Sequence, residues 1–204
     1  KGVPASLFMA ITRSLFRTLS QQVLSPAKIV TDMNNSISDN NESNMFVTLI
    51  VGILDLETGK LKLCNAGHNP PILIRPDGQV SFLEFKTQIF VGVIEEFAYT
   101  EDETTLEKGS KLFLYTDGVT EAENTEKELY GDEKLLKTLS DNNTSDVRTT
   151  VNGIEDSVAD HVKEAEASDD LTILLIQYEP GQQTIKHISV SYTHLRAHET
   201  LANL

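Results

Sequence analysis

The sequence has little of several residue types, and each shortage excludes a class of protein. Its 204 residues include a single cysteine, Cys64, which excludes an intrachain disulfide and fits a reducing cytoplasm. No hydrophobic run reaches the roughly 20 residues that a membrane-spanning helix needs. Basic residues are scarce, 17 against 31 acidic ones, and the net charge of −14 argues against a nucleic-acid backbone as the partner.

The end of the sequence differs in character from the rest. The segment VSYTHLRAHET, residues 190–200, resembles a translated sequencing-adapter peptide. We therefore predict that residues 181–204 are a non-native tail and leave them out of the predicted fold. Three of the five histidines belong to this tail. With only His68 and His161 left, the body of the chain does not favour a zinc site built on histidine.

The remaining residues, 1–180, have the size and composition of one folded domain. A hydrophobic content of 39% is that of a globular chain, and the length is enough for one sizeable core. The chain starts at Lys1-Gly2 without a methionine, and we expect it to be a piece of a longer protein. Cys64 is expected to be a small core residue on a strand, because free cysteine is among the most buried residue types.

Apolar residues at helical spacing predict four helices. These helices span residues 4–19, 26–37, 131–139 and 147–165. Ser25 before Pro26 is typical of a helix start, because serine caps the first turn and proline suits the first helical position. The spacing in the first helix places six apolar residues on one face: Leu7, Phe8, Ile11, Leu15, Phe16 and Leu19.

Between these helices the period changes to that of strands. The predicted strands span residues 46–55, 61–65, 71–75, 80–83, 97–106, 111–115 and 171–178. Turn sequences at 57–60 and 76–78 connect two of these pairs as antiparallel hairpins. The order of helices and strands predicts an α+β layered domain with mainly antiparallel sheets.

Two acidic turns stand at the ends of buried strands. Asp117 follows the apolar run 112–115, and Asp169 precedes the apolar run 171–176. Folding could bring both to one edge of a sheet, where neighbouring carboxylates repel each other unless a cation or a proton neutralises them. Oxygen ligands on rigid strand ends suit Mg²⁺ or Mn²⁺. The alternative stays open, because Asp-Gly after a strand is also a common turn sequence and Asp169 could cap a loop.

Five segments in order resemble a known family. They are Lys1-Gly2-Val3-Pro4-Ala5, Met45-Phe46-Val47-Thr48, Asn65-Ala66-Gly67-His68-Asn69-Pro70-Pro71, Tyr115-Thr116-Asp117-Gly118-Val119-Thr120-Glu121-Ala122 and Ser168-Asp169-Asp170-Leu171-Thr172. Over residues 1–180 the chain resembles the bacterial metal-dependent serine/threonine protein phosphatases of the sporulation-protein-E and sigma-regulator type, a branch of the type 2C phosphatases. From the residues alone, the third segment reads as a rigid turn more than as a substrate contact.

The resemblance implies a fold and a site. The fold would be an α-β-β-α sandwich with a centre for two metals, Mn²⁺ or Mg²⁺, at one edge. Asp117 and Asp169 match the family's metal-binding aspartates, and Asp170 lies where a neighbouring polar residue assists. Gly2 and Gly118 would support the metal edge, although Gly2 also reads as a plain helix-entry glycine. Such a centre activates water without a covalent phosphoenzyme.

The resemblance also implies ligands that this sequence does not contain. Family members carry acidic residues upstream of the turn that ends in Lys1-Gly2, and those positions fall before residue 1. Asp117 and Asp169 alone give few protein oxygens, so we expect weak metal binding and little turnover from this chain.

Three functions follow from these residues. The first is hydrolysis of phosphoserine or phosphothreonine on a bacterial regulatory phosphoprotein, such as an antagonist of an anti-sigma factor. The second is a pseudophosphatase that binds or transmits a signal, and the third is an acidic domain whose Asp turns are only structural. The first implies a sensor domain upstream and a cytoplasmic location, with membrane tethering through a further segment and a homodimer both compatible with the sequence.

Overall fold

The computed structural model describes residues 3–39, 41, 44–143, 146–165, 170–181 and 188–193. Its helices and its mainly antiparallel sheets confirm the predicted α+β class. Two compact units make up the chain: Lys1–Pro70 with Glu84–Leu106, and Pro71–Leu83 with Glu107–Leu204. Within the described part, no helix combines the length and the apolar character needed to cross a membrane.

The first unit is a four-stranded sheet with two helices. Its elements are α1 (Val3–Ser20), α2 (Pro26–Ser38), β1 (Leu49–Leu54), β2 (Lys60–Ala66), β5 (Thr87–Gln88) and β6 (Asp102–Thr105). The predicted hairpin is confirmed, because β1 and β2 pair antiparallel from Leu49 opposite Ala66 to Leu54 opposite Leu61. β6 pairs antiparallel with β2, and β5 pairs parallel with the last residues of β2.

Helix α2 starts as its sequence predicts. The Ser25 hydroxyl accepts a hydrogen bond from the Lys28 amide, and Pro26 occupies the first turn. Ile29, Val30 and Met33 are fully buried against a core that includes Cys64, which is 0% exposed on β2. The predicted core role of Cys64 is therefore confirmed.

One carboxylate anchors the start of α2 to the sheet. Glu101 accepts hydrogen bonds from the Ser25 hydroxyl at 2.7 Å and from the Ala27 amide at 3.1 Å, and pairs with Lys62 at 3.2 Å. Burial raises the pKa of Glu101, but these hydrogen bonds outweigh burial and hold the pKa below its ordinary value.

The predicted apolar face of α1 is only partly buried. Phe8, Leu15 and Leu19 pack against the core of the first unit. Leu7 and Ile11 are 60% and 56% exposed, because they lie beside the packed stripe and not on it. A helix at 3.6 residues per turn buries a stripe narrower than the one that the six apolar residues cover.

The second unit is a five-stranded antiparallel sheet with three helices. Its elements are β3 (Ile72–Ile74), β4 (Val80–Phe82), β7 (Lys111–Tyr115), α3 (Asp117–Thr120), α4 (Gly131–Asp141), α5 (Val147–Val162), β8 (Leu171–Gln177) and β9 (Ile188–Thr193). The strand order is β4-β3-β7-β8-β9. β7 and β8 pair from Lys111 opposite Gln177 to Tyr115 opposite Ile173.

Helices α4 and α5 supply one side of the core in this unit. Leu139 of α4 and Ile154 of α5 are fully buried in the same cluster as Phe113 and Ile173 of the sheet. A buried hydroxyl also connects the two helices, because Tyr130 Oη lies 2.9 Å from both Thr138 Oγ1 and Ser157 Oγ. Phe113 and Ile173 lie on the two strands that lead to the site, so this core holds those strands in place.

Four elements differ from the sequence prediction. The predicted strand 97–106 is a strand only over Asp102–Thr105, because the amides of Tyr99 and Thr100 donate to the side chains of Thr31 and Gln88 instead of a neighbouring strand. The short elements β5 and α3 were not predicted. Residues 188–193 of the tail, left out of the predicted fold, pair with β8 as strand β9, and the artificial origin of the tail stays a prediction.

Candidate metal centre

Asp117 stands where β7 ends and a short helix begins. The chain leaves the sheet at Tyr115, turns at Thr116, and enters α3 with Asp117 in its first turn. The Asp117 side chain is exposed, and its Oδ1 atom accepts a hydrogen bond from the Gly118 amide at 2.9 Å. Asp117 therefore presents a carboxylate at the edge of the sheet, fixed by its neighbour's backbone.

Asp170 reaches the same edge from β8. It immediately precedes Leu171, the first residue of β8, and is exposed. Because Tyr115 pairs with Ile173, the end of β7 and the start of β8 meet at one edge. The pairing continues one step further, since the Thr116 amide donates to the Thr172 carbonyl at 3.1 Å.

Gly118 is required by close contact between these two segments. A Cβ atom at residue 118 would lie 2.2 Å from the carbonyl oxygen of Asp170, far inside van der Waals contact. Only glycine lets the start of α3 approach the backbone at Asp170 this closely. Gly118 therefore lies in close contact with Asp170 at this edge, and its supporting role for a metal stays a prediction.

The structure describes only part of the predicted ligand set, and the metal roles of Asp117 and Asp170 stay predictions. Asp117, Asp170 and Gly118 come together at one sheet edge. Asp169 and Gly2 lie outside the described residues, so their metal and supporting roles stay predictions. The signal that predicted this edge was the position of each acidic turn at the end of a buried strand.

The donors fit the chemistry of Mg²⁺ or Mn²⁺ but are few. Both are carboxylates, which these hard cations prefer. Across the described ranges, no three side chains of His, Cys, Asp or Glu group closely enough to hold a metal ion. Asp117 and Asp170 are the described carboxylates that we consider as donors at this edge.

The segment around His68 is a turn, as interpreted from the sequence. The buried Asn65 side chain donates to the His68 carbonyl at 2.9 Å and accepts from the His68 amide at 2.8 Å. Gly67 supplies the positive φ of 78° that this turn needs. These bonds give the segment a structural role.

Cys64 is chemically inert at neutral pH. Burial raises the pKa of its thiol to about 12, and the contact with the Gln88 amide lowers it by less. A thiol with such a pKa carries almost no thiolate, the reactive form. Cys64 is therefore not a candidate nucleophile.

The sequence of this chain matches the model of a known protein family. The model described as stage II sporulation protein E (SpoIIE) matches residues 1–179. The chain belongs to the SpoIIE family. The matched residues include both Asp117 and Asp170, so the sheet edge lies inside the SpoIIE family region.

Two curated proteins are similar to this SpoIIE-family chain. Protein IcfG of Synechocystis sp. is 28% identical over 203 residues, which covers 86% of this chain and 32% of IcfG. Phosphoserine phosphatase RsbU of Bacillus subtilis is 25% identical over 178 residues, which covers 87% of this chain and 52% of RsbU. The chain thus spans about half or less of the length of these relatives.

Solved structures show the same fold. The SiaA-PP2C domain of Pseudomonas aeruginosa has a TM-score of 0.76 at 19% identity, covering 87% of this chain and 72% of that one. The catalytic domain of the serine threonine protein phosphatase PstP, in complex with two manganese ions, has a TM-score of 0.58 at 15% identity and covers 83% and 80%. This SpoIIE-family chain therefore has the PP2C fold, and a protein with that fold binds manganese.

Proposed function

We propose that this chain is a metal-dependent phosphatase domain that hydrolyses phosphoserine or phosphothreonine on a regulatory protein. The observation that carries the proposal is the pair of exposed carboxylates, Asp117 after β7 and Asp170 before β8, at one sheet edge. Membership of the SpoIIE family and the similarity to RsbU, a phosphoserine phosphatase, support it.

In this proposal the aspartates hold Mn²⁺ or Mg²⁺ in a two-metal centre. Asp117 and Asp169 are the metal ligands, and Asp170 assists beside them. When bound, such ions supply Lewis acidity that lowers the pKa of water and neutralises phosphate charge. Gly118 lets the two segments approach, and the Gly118 amide orients the Asp117 carboxylate. The manganese-bound PP2C fold of PstP supports this choice of metal.

The proposed substrate is a phosphorylated protein of a sigma-factor pathway, such as an antagonist of an anti-sigma factor. Similarity to RsbU and to the RsbU and RsbW domains of Rv1364c from Mycobacterium tuberculosis supports this class. Control by an upstream sensor, a homodimer, and a cytoplasmic location with membrane tethering through a further segment belong to the same proposal.

A second function is a pseudophosphatase that keeps the fold and binds a partner. What favours it is that, within the described ranges, no three side chains of His, Cys, Asp or Glu group closely enough to hold a metal ion. Two carboxylates predict weak manganese binding, with a Kd on the order of 10⁻⁴–10⁻³ M by analogy with the weakest calcium sites, because cation affinity depends on the number of charged ligands. Tighter binding would contradict the expectation of an incomplete site.

Phosphate release separates the two functions. The 204-residue chain is incubated with a phosphoserine peptide, with and without Mn²⁺, and released phosphate is measured over hours. For a phosphatase we expect slow release that needs Mn²⁺ and falls at least about tenfold in Asp117→Asn, because one metal ligand loses its charge.

Asp132→Asn is the matched control. Asp132 is also an exposed aspartate in the first turn of a helix, α4, so its replacement changes charge equally. It should leave the rate within about twofold. Release that ignores Mn²⁺, or that Asp132→Asn reduces as much as Asp117→Asn, would contradict the proposed site. Manganese binding without any release would favour the pseudophosphatase.

A further inference from the structure

The turn between β7 and α3 uses the backbone of Thr116 for two elements at once. The Thr116 amide still pairs with β8, donating to the Thr172 carbonyl at 3.1 Å. The Thr116 carbonyl has already turned into α3, where it accepts from the Val119 amide at 3.0 Å. In an antiparallel pair that carbonyl would accept from the Thr172 amide, which therefore needs another acceptor.

The side chain of Thr116 takes the place of this carbonyl. Its Oγ1 atom accepts from the Thr172 amide at 3.1 Å and lies 3.3 Å from the Asp170 carbonyl, to which it donates. One hydroxyl thus satisfies a donor and an acceptor on the opposite segment. The pairing of β7 with β8 continues beyond the point where the chain leaves the strand.

The Thr116 hydroxyl does not cap helix α3, although Thr116 occupies the N-cap position. Thr116 is the N-cap of α3, where a threonine side chain commonly accepts from an amide of the first helical turn. No such bond forms, and the hydroxyl faces the start of β8 instead. Local helix capping therefore does not explain why Thr116 adopts this arrangement.

The contact at Gly118 fixes the same carbonyl from a second side. The carbonyl oxygen of Asp170 accepts a hydrogen bond from the Thr116 hydroxyl. The same oxygen lies only 2.2 Å from the position that a Cβ atom of residue 118 would occupy. The backbone at Asp170 is thereby held against the backbone on either side of Asp117. The carboxylates of these two segments depend on that placement for their separation.

We propose that Thr116 is a positioning residue for the metal centre, and that its hydroxyl sets the distance between the acidic segments at Asp117 and Asp170. This inference rests on the proposed function of that edge. A site built from two separate segments binds a cation more tightly when both are fixed before binding.

The test compares threonine with variants that keep or lose the hydroxyl. Thr116→Ser keeps it, Thr116→Val replaces it with a methyl group of similar volume, and Thr116→Ala removes it without adding volume. Manganese affinity is measured by calorimetry at a temperature where each variant is folded by circular dichroism. Exchange of the Thr172 amide is followed in the same samples, and Asp117→Asn serves as the ligand control.

We expect Thr116→Val to weaken manganese binding about three- to tenfold, as for the loss of one or two hydrogen bonds, and to speed exchange of the Thr172 amide. Thr116→Ser should restore both properties to within about twofold of the wild type. If valine prevents folding, the comparison of alanine with serine gives the same answer.

The outcomes separate this inference from the proposed function. If Asp117→Asn abolishes binding but the valine and alanine variants bind as tightly as the wild type, the role of Thr116 is wrong and the metal centre stands. If Asp117→Asn binds manganese like the wild type, the proposed metal centre is wrong, and the proposed role of Thr116 is then wrong as well. Weak binding in Thr116→Ser would also overturn the role, because serine keeps the hydroxyl.

Discussion

Replacing Gly118 with alanine should lower the free energy of unfolding of the second unit, although it adds only one methyl group. The added Cβ would lie 2.2 Å from the Asp170 carbonyl oxygen and 2.9 Å from its carbon, both backbone atoms that cannot rotate away. Relief requires the start of α3 and the start of β8 to move apart by about 1 Å, and overpacking of this kind costs about 1–3 kcal/mol. Alanine favours the helix by about 0.5–1 kcal/mol, so we expect a net loss centred on about 1 kcal/mol and reaching about 2.5 kcal/mol.

Urea unfolding followed by circular dichroism measures this loss, in EDTA so that no metal contributes. Gly52→Ala is the matched control, because a Cβ at that position in β1 meets its nearest neighbours, Leu61 and Lys62, at 3.6 and 3.7 Å, which is ordinary contact. The control should be as stable as the wild type or up to about 1 kcal/mol more stable, because alanine loses less backbone entropy than glycine in a strand. A Gly118→Ala variant as stable as the wild type would refute the close contact at Asp170.

Two further changes test contacts away from the site. Glu101→Gln should cost about 1 kcal/mol at pH 7, through weaker bonds to Lys62 and the start of α2. Because folding lowers the pKa of Glu101, its contribution is present above the ordinary value of 4.5 and is lost as the pH falls through the lowered pKa. A difference from the wild type that does not shrink between pH 7 and pH 3 in urea titrations would contradict this. Tyr130→Phe should cost about 1 kcal/mol in the same titrations, since Thr138 and Ser157 lose a shared partner. An unchanged midpoint would show that this hydroxyl contributes nothing.

The elements that the sequence predicts well are those with a local cause. Residues 111–115 form β7 as predicted, because an apolar run of this length is buried on both faces. Helix α2 begins at Pro26 because Ser25 caps it. In both cases the signal that predicts the element lies within it or directly beside it.

The elements that the sequence predicts poorly depend on distant partners. The run from Phe97 to Glu101 has strand character, yet the side chains of Thr31 and Gln88 take its amides. Helix α3 is too short for periodicity to reveal it, and Asp117-Gly118 reads equally well as a plain turn.

The same distinction applies within the site. Asp117 could be placed at this edge because it follows an apolar strand, and strand ends meet at sheet edges. The same reasoning placed Asp169 there, which lies outside the described residues, whereas Asp170 was assigned through the family resemblance. The role of Thr116 could not be predicted, because its partners at residues 170 and 172 are more than 50 positions away. Only the register of β7 with β8 brings that hydroxyl to them.

The pairing of β7 with β8 also sets when the site can form during folding. The Thr116 hydroxyl and the Asp170 carbonyl are 54 residues apart, with α3, α4 and α5 between them. Closing so long a segment is slow compared with forming a helix or a hairpin. In a chain still emerging from the ribosome, Asp117 is therefore present before the start of β8 lies beside it. The proposed cation centre can form only after β8 has been made and has paired with β7.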